Sequence, residues 1–64
     1  MSEQVAHIIY HVLALAFGMA ADEPELHQCG AENKPVAALL PADLRKALVA
    51  VYEERRNYLR ETTP

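Results

Sequence analysis

The chain has no tryptophan, one cysteine and two glycines among its 64 residues. Each shortage excludes something. With Cys29 alone, no disulfide can form within the chain, so a covalent staple is not what holds it together. Gly18 and Gly30 stand apart, and no glycine-rich phosphate loop can be drawn through either. Basic charge is also scarce: six Lys and Arg face nine Asp and Glu, giving a net charge of −3. That balance argues against a general nucleic-acid or anionic-membrane binder, since both demand a basic surface. A secretory leader needs a positive amino-terminal region, and Glu3 stands there instead. The apolar run from Val12 to Ala21 is short for a membrane span, and His7 and His11 interrupt its approach. The expectation is a cytoplasmic protein, with its free thiol in a reducing compartment and no membrane partner.

What is present is ordinary for a folded chain: 52% of the residues are apolar, with alanine and leucine foremost. A single domain over residues 1–64 is the only possibility at this length. Its core is small, and chains of this size usually gain stability from self-association, a partner or a metal.

The pattern predicts an all-α chain: an antiparallel hairpin of two long helices with a short extra helical turn or turns between them. The first helix spans about residues 2–21, with Ser2 as its cap and Glu3 at the positive end of its dipole. Residues 22–40 read as a connection: Asp22 to Pro35 is polar and contains Pro24 and Gly30, and Val36 to Leu40 is a short apolar run, a helical turn or an extended piece packed over the hairpin. Asp22 and Glu25 have the spacing of a capping box for one turn within it. The second helix spans about residues 41–61, with Pro41 at its first position, Asp43 in its first turn and Arg60 in its last.

The two long helices differ in how much of their circumference is apolar. On the second, Leu44, Leu48, Val51 and Leu59 fall on one stripe and charged residues cover the rest. On the first, Val5, Ile9, Val12, Leu13, Ala16 and Ala20 centre a face. Ile8, Leu15 and Met19 widen it on one side; Ala6, Tyr10 and Phe17 widen it on the other. That arc far exceeds the stripe of about 100° that one neighbouring helix covers. Large exposed apolar patches are uncommon on monomers. Two hairpins packed through their first helices would form a four-helix bundle and hide both arcs. The dimer interface expected from the sequence is therefore Val5, Ile8, Ile9, Val12, Leu13, Ala16, Phe17 and Ala20.

Few residues suggest chemistry. His7 and His11 share a helical face at a spacing that can grip a transition metal, but the paired ligands of known zinc modules are missing. Their plainer role is the polar strip of an apolar helix, where they could also tune assembly with pH. Cys29 near His27 lacks a third group and an oxyanion site, so a packing role is expected. No cofactor is implied and no enzymatic activity is expected. Arg55 interrupts the apolar stripe of the second helix; it is expected to snorkel or to pair with Asp22, Glu23 or Glu25. With Tyr52 and Tyr58 it forms a candidate partner-facing patch.

The function these features favour is a small non-enzymatic interaction module. It would be a homodimeric regulator or inhibitor that occupies a surface on another, unidentified protein. Two alternatives belong to other classes. A transcription-related nucleic-acid binder would use Arg45, Lys46, Arg56 and Arg60 of the second helix, against the overall charge. A metal-binding helical protein would use His7 and His11.

Overall fold

In a computed structural model of the chain, residues 1–62 are described. Three α-helices account for them: α1 at Glu3–Gly18, α2 at Glu23–Ala37 and α3 at Ala42–Thr62.

Ser2 begins α1 in an extended conformation, and its hydroxyl accepts from the Val5 amide at 3.2 Å. This satisfies one of the amides that a helix start leaves without a partner. The helix ends at Gly18, earlier than the sequence suggests. The reason lies in Asp22, whose backbone is extended while its Oδ1 accepts from the Glu25 amide at 2.8 Å. A residue that caps the next helix cannot also extend the previous one, so the chain turns at residues 19–22.

The stretch expected to be a connection forms a 15-residue helix. Both prolines are tolerated by position. Pro24 lies at the very start of α2, where a missing N–H removes no bond. Pro35 lies in the last turn, where little of the ladder remains to be broken. Leu26 is buried; Cys29, Gly30, Asn33 and Ala37 are half-buried, continuing a thin inward stripe at helical spacing. Pro41 ends the second turn and accepts from the Arg45 amide at 2.9 Å, so it caps α3 from just outside the helix.

Four-residue turns join consecutive helices and make them antiparallel neighbours. Cross-contacts fix the arrangement. Phe17 near the end of α1 meets Tyr52 edge-on, with ring centroids 5.4 Å apart. Arg60 near the end of α3 pairs with Glu23 at the start of α2, at 3.1 Å. Gly30 on α2 lies against the Tyr52 ring, so close that a Cβ there would stand 2.9 Å from Cε2. The chain therefore runs up, down and up, with α1 and α3 pointing the same way and α2 packed against both. This three-helix arrangement replaces the two-helix hairpin expected from the sequence. It arises because the middle segment is long enough to return along the full bundle.

The core is small and aliphatic. Ala6, Leu13, Phe17 and Ala20 enter it from α1 and its turn, Leu26 from α2, Leu40 from the second turn, and Leu48 and Leu59 from α3. No buried polar side chain interrupts it among the described residues. Leu26 is 1% exposed, and deleting its buried methyls leaves a cavity between three helices. Leu26→Ala is expected to lower the unfolding free energy by about 2–5 kcal/mol. Leu39→Ala, in the exposed second turn, should change it by about 0.5 kcal/mol or less. Urea unfolding followed by circular dichroism checks both.

Candidate functional site

Helix α1 carries two apolar stripes rather than one broad face. The inner stripe consists of Ala6, Leu13 and Phe17, with Ile9, Tyr10 and Ala14 packed beside them. The outer stripe is Val5, Ile8, Val12 and Leu15, continued by Met19 at the C-cap, at separations that alternate between three and four residues. At about 100° per residue the two stripes lie roughly 140° apart around the helix. The outer side chains are 46% to 73% exposed. They form half of the large apolar side chains that the described residues leave in solvent; Met1, Val36, Leu39, Val49 and Tyr58 are the others.

Alternating separations of three and four place all five residues on one narrow seam, the pattern with which helices interlock side by side. Val5 and Val12 occupy one kind of position, and Ile8 and Leu15 the other; of the four only Leu15 is not β-branched. The seam itself carries no ionisable side chain. Its flanks are Gln4, His11 and Gly18 on one side and Ile9 and Ala16 on the other, without a carboxylate or a Lys or Arg.

This geometry redistributes the residues expected at a dimer interface. Val5, Ile8 and Val12 face outward as expected. Leu13, Phe17 and Ala20 do not: at 5%, 4% and 2% exposure they belong to the chain's own core. Ile9 and Ala16 are half-buried at the boundary between the stripes. Leu15 and Met19 stand fully in the outer stripe. The alternating spacing was the available signal. Treating the arc as one face conceals it.

His7 and His11 are both exposed on the polar side of α1. His7 Nδ1 donates to the Glu3 carbonyl at 2.9 Å, and the His11 ring meets Tyr10 edge-on at 5.3 Å. Among the described residues no three His, Cys, Asp or Glu side chains are grouped as a metal site would require. Cys29 is half-buried, and Asn33 Nδ2 donates to its carbonyl at 2.8 Å.

Tyr52, Arg55 and Tyr58 do not form one patch. Tyr52 points between α2 and Phe17, whereas Arg55 and Tyr58 lie on another side of α3. Arg55 neither pairs with a carboxylate nor points freely into water. Its Nη2 donates to the Ala20 carbonyl at 2.8 Å, and its guanidinium lies 4.8 Å from the Tyr58 ring centre. The carboxylate near the expected position, Glu23, is taken by Arg60. Arg55 thus supplies a donor to a carbonyl just beyond the end of α1, where helix carbonyls lack partners and the dipole favours a cation. It acts as a tie between α1 and α3.

No protein-family model, curated protein or solved structure matches the chain. No helix of the described residues is long and apolar enough to cross a membrane.

The tie has a measurable strength. Arg55→Met preserves the apolar stem and removes the donor, and is expected to cost about 1–3 kcal/mol in urea unfolding. Tyr58→Ala removes only an exposed ring over the guanidinium and should cost less than about 1 kcal/mol.

Proposed function

We propose that the chain is a non-enzymatic protein-interaction module that forms a homodimer through the outer stripe of α1. The observation that carries this reading is the seam of Val5, Ile8, Val12, Leu15 and Met19, apolar throughout and exposed along the helix. A surface of this kind is costly to leave in water. Its even three-and-four spacing suits another helix, and a second copy offers the same seam with the same spacing. In a two-fold contact each patch meets itself, so charged flanks would bring like charges together. The flanks here carry no carboxylate, Lys or Arg, which removes that obstacle.

Because each chain contributes three helices, a dimer would contain six rather than the four expected from two hairpins. The two α1 helices would lie at its centre, and α2 and α3 of each copy would face outward. On this reading the module is a regulator or inhibitor that occupies a surface on another protein with those outer helices. A cytoplasmic setting suits the free thiol of Cys29.

The test separates the outer stripe from the core. Ile8→Glu and Leu15→Glu each place a carboxylate in the seam without touching a buried residue. Each is expected to give a folded monomer by sedimentation equilibrium, with the helical circular dichroism of the parent retained at high protein concentration. A single Glu variant that sediments as the parent does would overturn the assignment of this face.

A further inference from the structure

The side of the bundle between α2 and α3 has a feature that dimerisation through α1 does not use. A hollow of about 510 Å³ opens there over Phe17, Ala31, Leu48, Val49 and Tyr52. It runs on, past His27 and Tyr52, into a second hollow of about 330 Å³ beside Leu26 and Pro24. No residue of the outer α1 stripe lines either one.

Charge is sorted sharply along this cleft. Lys34 and Arg45 border its first part, Arg56 and Arg60 its second. These are four of the six Lys and Arg in a chain whose nine Asp and Glu leave it net acidic. Of those nine, Glu23 alone reaches the cleft, and Arg60 neutralises it at 3.1 Å. Lys34, Arg45 and Arg56 have no ion-pair partner among the described residues. Arg56 Nε is shielded from solvent and also lacks a hydrogen-bond partner there. On α3 the arrangement is a stripe of its own: Arg45, Val49, Tyr52, Arg56 and Arg60, separated by three or four residues, to one side of the core stripe.

We propose that this cleft binds an acidic amphipathic helix of a partner protein. The groove between two antiparallel helices receives the ridge of a third, and the apolar floor offers the contact that such a ridge needs. The cations specify the flanks. Arg45 and Arg56 are eleven residues apart, about 16 Å along the helix axis at about 1.5 Å per residue. One carboxylate head on an alkyl chain answers only one end of that span. A helix of about three turns with Asp or Glu on both flanks answers both. This occupant rests on the reading of the chain as a protein-interaction module, and it does not depend on the dimer.

The test uses a synthetic helical peptide of about 15 residues, with Leu at positions i, i+3, i+4, i+7 and i+11 and Glu on both flanks. It is titrated into the full-length ¹⁵N-labelled protein. Saturable binding is expected, with the largest amide shifts at Ala31, Val49 and Tyr52. Replacing the peptide's Glu by Lys should weaken binding by at least about tenfold, and Arg45→Glu should do the same. Val49→Glu, which places a carboxylate on an exposed floor residue, should also abolish it. Ile8→Glu should leave affinity unchanged, so loss of the dimer and loss of the cleft are read separately. The proposal is overturned by absence of saturable binding, equal binding of the Lys peptide, or shifts confined to α1. It is equally overturned if decanoate or duplex DNA binds these residues more tightly than the peptide.

Discussion

A helix that is apolar over most of its circumference has to be covered from more than one direction. In this chain α1 is that helix, and its own chain covers only one of its sides. Leu13 and Phe17 are sealed by Leu26, Leu48 and the rest of the core, while Val12 and Leu15 remain in water. The inner side determines the fold. Phe17 meets Tyr52 on α3, and Gly30 on α2 lets the same ring approach its backbone. The three helices therefore converge on one aromatic contact. The turn after α1 is fixed to α3 by Arg55, and the start of α2 by Arg60.

The consequences for stability follow from size. Eight buried residues form the core, and two of the four from α1 and its turn, Ala6 and Ala20, are small. A domain of this length buries a modest share of its surface, so its margin is thin and each large core side chain matters. Covering the outer stripe would add apolar burial without changing the fold. Association would then stabilise the chain by an amount that grows with the logarithm of protein concentration, as any binding to the native state does.

Much of this was legible from residue order. Ser2, Asp22 and the wide apolar arc of α1 announced the helix starts and the unpaired surface, because caps and periodicity are local signals. The helical character of residues 23–37 was obscured by Pro24, Pro35 and Gly30, which usually mark breaks. Position decides their effect: the prolines sit in the terminal turns, and the glycine is needed where Tyr52 closes in. The inward stripe of α2 has one large apolar residue, Leu26, so its periodicity is faint. The division of α1 into inner and outer residues depends on where α2 and α3 lie, which is tertiary information. The separate fates of Tyr52 and Arg55 have the same origin, since residues three apart on a helix can serve different neighbours. The cleft cations, spread over α2 and α3, become a group only once those helices are placed side by side.

On the proposed reading one element is used twice: the inner side of α1 holds the chain together, and its outer side would join it to a copy. Light scattering after size exclusion, over a hundredfold range of loading concentration, tests that division directly. The account predicts a mass of twice the 7.1 kDa chain across the upper part of the range, falling toward one chain only on dilution. A folded species that stays at the mass of one chain at every concentration would contradict it.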